Sequence, residues 1–336
     1  MEEKIFNEFK KTENEEFSKL KAYDLDYLLD GLDEYLIGYR DFLGLPKDLT
    51  FGTEIEVADA NIYELKKEID INKNLNYLWN TNFEPSVTNG AEVDSPIMED
   101  QKGYWNDLKK VCDILYNISI INGQTSAHVH IGAQILGSDK KNWLNFIKLW
   151  ATYENIIYRF TNGEYINTRI GAIKYAAPIK YLLEEIYKKY KSNSKSLYNM
   201  ICDLSKERTQ AVNFMNVFKI NIDSMKDKNT IEFRTPNGTL DCVIIQNNIN
   251  LFTKLLLYSK SSKYNDDIVE KRKRNIGTKN IEYDMYSEID LSQALELVDL
   301  IFDNNLDKLN FLKQYLKSFE LTNRCDLKCK KLTKSR

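Results

Sequence analysis

Apolar side chains change their spacing several times along the 336 residues, and each change marks an element. From 139 to 160, Trp143, Phe146, Ile147, Trp150, Tyr153, Ile157 and Phe160 share one helical stripe, which predicts a helix packed on a sheet. Residues 176–190 and 240–258 carry the same period and predict further amphipathic helices. "DLSQALELVDLIF" begins another, with Asp290 as N-cap and Gln293 three residues later. Near the start, Phe6, Phe9, Leu28, Leu32, Tyr35, Leu36 and Tyr39 predict two helices within residues 1–43. Gly44 and Pro46 then break helix and put a boundary near residue 48. Between 50 and 100, strand-like runs alternate with loops, and Asn89-Gly90 predicts a hairpin turn and antiparallel pairing. The polar stretch 259–283, with "KRKR" at 271–274, predicts an exposed loop whose basic run is solvated surface. Three segments follow: a helical extension at 1–48, a core at 49–260, and a loop and helical region with a basic tail at 261–336.

Composition narrows the partners. Apolar residues make up 43% of the chain, enough for a sizeable core. Forty-seven Lys and Arg nearly balance 50 Asp and Glu, so a net charge of -3 gives little pull toward nucleic acid or an anionic bilayer. The opening "MEEKIFNEFKK" has acids where a secretory leader needs a basic start and an apolar run, and no long apolar run follows; a cytoplasmic protein with no membrane partner is expected. Five scattered cysteines (Cys112, Cys202, Cys242, Cys325, Cys329) lack metal-site spacing and read as reduced thiols. Only two histidines occur, both in "AHVHIG".

Three triplets share one design: Glu54-Ile55-Glu56, His128-Val129-His130 and Glu232-Phe233-Arg234. In a strand, residues i and i+2 face one side and i+1 the other, so each triplet sends a polar pair one way and an apolar residue into a core. One such triplet reads as an ordinary half-buried strand with a wet face. A wet face favours Thr, Lys, Ser and Gln, however, and these positions hold Glu, His and Arg. Carboxylates gathered on one face repel unless neutralised, which points to a divalent cation. Same-face neighbours stand about 6.5 to 7 Å apart along a strand, a span suited to flanking two ions about 3.5 to 4 Å apart. Oxygen ligands with an imidazole suit Mg²⁺ or Mn²⁺. Arg234 cannot ligate metal and suits a phosphate that the metal also holds, so a metal nucleotide is the expected ligand. No GxxxxGK[ST], GxGxxG or GxSxG occurs, which removes P-loop, Rossmann and serine-hydrolase readings.

The ordered pieces "FGTEIEV", "GAEVDSPIM", "SAHVHIGA", "LWATYENII", "TRIGAIKYAAPI", "RTQAVNFMN" and "TIEFRTPNGTLD" resemble the amidoligase family, whose catalytic domain is similar to those of glutamine synthetase and gamma-glutamylcysteine ligase. The resemblance covers about 49–260. It implies an α+β fold: a glutamine synthetase-like catalytic domain with a curved, mainly antiparallel sheet backed by helices, flanked by helical N-terminal and C-terminal extensions. It also implies an ATP-dependent carboxylate-amine ligase that forms an amide or isopeptide bond through an acyl phosphate, using ATP and Mg²⁺ or Mn²⁺. Glu54, His128 and Glu232 then resemble ligands of the metal on the nucleotide phosphates, and Glu56 and Glu92 ligands of a second metal on the substrate side. Arg234 resembles the phosphate-holding group, with Arg169 and Arg208 as further nucleotide or acyl-phosphate contacts and Asn213 and Asn216 as positioning groups. His130 shares the face as a ligand-side or supporting residue. Substrates would be small-molecule or peptide carboxylates and amines; the extensions would serve oligomerisation, cap the cleft or recruit a protein substrate. Where the family shows an Asp-Gly-Ser-like turn, this chain has "NFEPSV", with Glu84 and Pro85, so substrate recognition there does not carry over. A nucleotide-binding sensor or a phosphotransferase on the same fold are the alternatives.

Overall fold

A computed structural model describes residues 3, 4, 6, 7, 38–162, 175–192, 195–221, 226–276 and 290–316. Its strands are β1 (Phe51–Val57), β2 (Asn80–Glu84), β3 (Gly90–Asp94), β4 (Ala127–Gly132), β5 (Val212–Asn213), β6 (Lys219–Asn221), β7 (Lys226–Lys228) and β8 (Thr230–Phe233). Six of them form an open sheet in the order β2-β3-β1-β4-β8-β5, with every neighbouring pair antiparallel; β6 and β7 pair separately. Nine α-helices occur among the described residues: α1 (Ile62–Glu68), α2 (Lys102–Ile118), α3 (Lys140–Asn162), α4 (Lys180–Tyr190), α5 (Leu197–Leu204), α6 (Cys242–Lys260), α7 (Asp266–Ile276), α8 (Leu291–Ile301) and α9 (Asn305–Leu316). The fold is thus a mixed one, an antiparallel sheet with helices on one face.

The two-residue period decides which face is which. Ile55, Val93, Val129, Val212, Ile231 and Phe233 point to one side and are each at most 1% exposed. Against them lie α3 and α6: Phe233 stacks on Phe252 at 4.2 Å, sits 5.6 Å from Trp150, and meets Phe146 edge-on at 6.2 Å. All seven residues of the α3 stripe are buried. The helix leaves ideal geometry at Tyr153 (φ -112°, ψ 16°), just after Thr152 turns its hydroxyl back to the Lys148 carbonyl, a bond known to bend helices.

Several elements differ in detail from the sequence reading. The β2–β3 pairing is antiparallel, but the ladder closes at Glu84↔Gly90, so the loop is Pro85–Asn89 and Gly90 already belongs to the strand. Asn89 takes the left-handed turn at φ 46°, and a Cβ on Gly90 would lie 2.5 Å from the Val87 Cβ and 2.7 Å from the Glu84 carbonyl, so the tight loop demands glycine. Residues 266–276 are helix α7 rather than loop: Val269 is buried, Arg272 pairs with Glu296 at 2.7 Å, and Glu270 holds Lys148, so ion pairs stand where an apolar stripe was missing. Helix α6 is buried nearly all round rather than amphipathic. Several of its polar residues pair inside: Gln246 both accepts from the Arg40 amide and donates to the Arg40 carbonyl, and Asn250 donates to Asp307. Asp290 caps α8 through the Gln293 amide, while the Gln293 side chain donates to the Thr152 carbonyl rather than completing a capping box.

Residues on both sides of 48 and of 260 enter one hydrophobic cluster, which runs from Leu43 and Leu45 through to Leu316. The helices expected in 1–43 and the tail holding Cys325 and Cys329 lie outside the described residues, apart from 3, 4, 6, 7 and 38–43. No helix among the described residues is long and apolar enough to cross a membrane.

Phe233 is the residue on which sheet and helices meet. Phe233→Ala should cost about 3 to 5 kcal/mol in urea unfolding; a loss under about 1 kcal/mol would show that this stack does not hold the sheet to its helices.

Candidate metal centre

On the opposite face the register brings the chemistry together. Glu54 stands across from Asp94 on β3 and from His128 on β4; Glu56 stands across from Glu92. His130 faces Glu232 on β8, and Glu232 faces Asn213 on β5. Cross-strand partners lie closer than same-strand neighbours, so each cluster is assembled across strands.

His128 is the centre of this wall and is 3% exposed. Its Nδ1 lies 3.1 Å from Glu54 Oε2 and 3.6 Å from Glu232 Oε1; its Nε2 lies 2.9 Å from Ser126 Oγ and 3.8 Å from Glu56 Oε1. His130 Nε2 lies 2.9 Å from the other oxygen of Glu54. Glu56 Oε2 accepts from the Ser126 amide at 2.8 Å, and Glu232 Oε2 accepts from the Asn213 amide group at 2.7 Å. Arg234 donates to Glu232 Oε1 and, through Nε, to the Tyr175 carbonyl at 3.0 Å.

Three groups present ligand atoms within 4.8 Å of one another: Glu54, His128 and Glu232; Glu56, Glu92 and His128; Glu54, Glu92 and Asp94. That spread suits oxygens and a ring nitrogen around one hard cation at bond lengths of about 2.0 to 2.6 Å. The five expected ligands, Glu54, Glu56, Glu92, His128 and Glu232, thus share one wall and divide between the first two groups. The donor set fits a divalent metal such as Mg²⁺ or Mn²⁺ better than zinc, which takes more nitrogen and sulfur.

A family model described as "Putative amidoligase enzyme" matches residues 53–256. The chain belongs to this amidoligase family. No curated protein matches it. The amidoligase span includes every residue just described, from Glu54 on the first strand to Arg234 beyond β8.

The outlying positions fare differently. Arg208 is exposed in the turn before β5 and shares no hydrogen bond or ion pair with the carboxylates. Arg169 lies outside the described residues. Asn213 spends its side chain on Glu232 and on the Met215 amide, and Asn216 is half-buried in the following turn. At the departure from the family turn, Glu84 Oε1 accepts from the Ser86 amide and so shapes the β2–β3 loop. Two residues of the wall escape a reading by triplets. Asp94 repeats the same spacing in Glu92-Val93-Asp94, a signal open to view, and its carboxylate accepts from Asn82 at 2.7 Å. Ser126 precedes His128 by two residues and carries no charge to betray it.

Charge on the wall is unevenly shared. Burial pushes the Glu54 carboxyl up, but hydrogen bonds from His128 and His130 overcome it and hold Glu54 well below the usual carboxylate range. Burial and then the charges of Glu54, Asp94, Glu56 and Glu84 push Glu92 up to about 9. Asp94 is raised by burial and by Glu54. Burial would lower His130, but its bond to Glu54 raises it.

For Glu92 the folded value exceeds the unfolded one, so the folded chain keeps a proton that the unfolded chain releases, and stability falls as pH rises from about 4.5 to about 9. His130, also raised, adds stability that is lost in the same direction. Glu54, depressed, loses its contribution only as pH falls below the ordinary carboxylate range. The melting temperature of chelator-treated protein should therefore drop between about pH 5.5 and 8.5, and Mg²⁺ should raise it more at the upper end, where its ligands shed protons readily. A melting temperature that climbs with pH, or a Mg²⁺ effect larger at the acid end, contradicts this account.

Proposed function

We propose that this amidoligase is an ATP-dependent carboxylate-amine ligase built on a glutamine synthetase-like catalytic domain. The single observation that carries the reading is the wall itself: four glutamates and a histidine from four strands, with ligand atoms within 4.8 Å in each group, on the face turned away from the core. A wall so rich in carboxylates suits phosphoryl transfer, where positioning and charge neutralisation do most of the catalysis.

Divalent ions, when bound, neutralise charge on the nucleotide phosphates and on the acyl phosphate. The chain's own residues do the rest. Glu54, His128 and Glu232 would hold a nucleotide-side cation, and Glu56 and Glu92 a substrate-side one. Arg234, fixed by Glu232 and by the Tyr175 carbonyl, places a permanent positive charge beside this group, suited to phosphate oxygens. Asn213 keeps Glu232 from rotating. The γ-phosphoryl group passes to a substrate carboxylate, giving ADP and an acyl phosphate; an amine then attacks the acyl carbon, phosphate leaves with the C–O bond pair, and the amine gives up a proton as the amide forms. Small-molecule or peptide carboxylates and amines are the proposed substrates, with Arg208 and Arg169 as candidate contacts to phosphate and the flanking segments as sites for a protein substrate or a second copy.

The test is ADP release with pooled amino acids and peptides in the presence of Mg²⁺ or Mn²⁺, with mass spectrometry of the product. An amide is expected. Glu54→Ala and Glu232→Ala should keep the wild-type circular dichroism spectrum and lower turnover on the order of 10²- to 10³-fold. Turnover retained in both variants refutes the metal assignment; a phosphorylated product without an amide makes the protein a phosphotransferase, and nucleotide binding without turnover makes it a sensor.

A further inference from the structure

Ser126 is fully buried and tied to β1 at both ends of its peptide, donating its amide to Glu56 Oε2 at 2.8 Å and accepting from the Glu56 amide at 2.9 Å. Its hydroxyl therefore has a fixed place, 2.9 Å from His128 Nε2. The backbone that carries the imidazole is held too, since Thr53 Oγ1 donates to the His128 carbonyl at 2.9 Å. Between these anchors His128 divides two carboxylate groups: Nδ1 faces Glu54 and Glu232, and Nε2 faces Ser126 with Glu56 behind it. Both candidate cation groups that include a histidine share this one ring.

A neutral imidazole has one lone pair, so it cannot serve both cations at once. An ionised carboxylate only accepts, so without a cation Nδ1 carries the hydrogen and gives it to Glu54, and Nε2 accepts from the Ser126 hydroxyl. A cation entering between Nδ1 and Glu54 Oε2 takes the place of that hydrogen between the same two atoms. A cation at Nε2 would first have to displace Ser126. A hydroxyl both donates and accepts and turns freely about its C–O bond, so Ser126 can reverse its role without moving its oxygen.

We propose that Ser126 is a positioning residue that assigns His128 Nδ1 to the cation held by Glu54 and Glu232, by accepting the Nε2 hydrogen once that cation is bound. The ring keeps one proton throughout: Nδ1 releases its hydrogen to solvent, Nε2 gains one from solvent, and the Ser126 hydroxyl rotates to receive it. The Glu56 and Glu92 cation is then left with oxygen ligands. This rests on the metal reading of the wall under the proposed function and adds which ring nitrogen is used and what selects it.

The chain has only two histidines, so protein labelled with ¹⁵N-histidine shows two imidazoles, distinguished by His130→Asn. Titration with Mg²⁺, which is diamagnetic, should convert His128 from the Nδ1–H form to the Nε2–H form. By calorimetry, Ser126→Ala should bind Mg²⁺ on the order of 10- to 100-fold more weakly, the usual loss on removing a ligand's supporting partner, and Ser126→Thr should recover most of it. Mg²⁺ that binds while Nδ1 keeps its hydrogen, or that binds Ser126→Ala as tightly as wild type, overturns the role of Ser126 and leaves the metal reading standing. Failure of the wild-type protein to bind Mg²⁺ at all removes both.

Discussion

Five carboxylates, Glu54, Glu56, Glu92, Asp94 and Glu232, crowd one sheet face in overlapping groups linked through Glu54, Glu92 and His128, and the structure around them bears their repulsion. Like charges this close raise one another's proton affinity, and the effect concentrates on Glu92, which has no cationic partner among the described residues. Glu54 escapes because His128 Nδ1 and His130 Nε2 stand 3.1 and 2.9 Å from its two oxygens and hold it well below the usual carboxylate range. The cluster is thus charged on the His128 side and prone to protonation on the Glu92 side. A divalent cation would relieve the repulsion on both sides.

The same residues that carry the chemistry also fasten the sheet. In Glu54-Ile55-Glu56, His128-Val129-His130 and Glu232-Phe233-Arg234 the middle residue is wholly or almost wholly buried, and Phe233 sits in the aromatic stack with Trp150 and Phe252. A polar residue cannot turn from the site without pulling its apolar neighbour from the core. The backbone of the wall is anchored to the core for that reason.

Behind the sheet the helices are joined by amides as much as by apolar contacts. Gln246, Asn247, Asn248 and Asn250 on α6 all lie inside and meet Arg40, Gln314 and Asp307. Paired amides in a low-dielectric interior favour one arrangement of partners, because a slip breaks several of these bonds together. This ties the described residues just before β1 and the helices α8 and α9 to the amidoligase core, whose interior they share.

Sequence alone determined what a strand or helix settles locally: that the three triplets present polar pairs on one face, that 139–160 is a helix with its stripe inward, that Asp290 caps a helix, and that the polar face carries carboxylates and imidazoles able to hold a cation. These follow from periods of 2 and 3.6 residues, which need no distant partner. Only the tertiary structure decided which carboxylates share a space, because cross-strand register depends on pairings between residues far apart in the chain, such as Glu54 with His128 and His130 with Glu232. It also decided that the Asn89-Gly90 turn is a five-residue loop, that 266–276 folds as a helix held by ion pairs, that Asp94 joins the wall, and that Arg208 stands outside it. In each case the deciding contact comes from another part of the chain, which a local pattern does not encode.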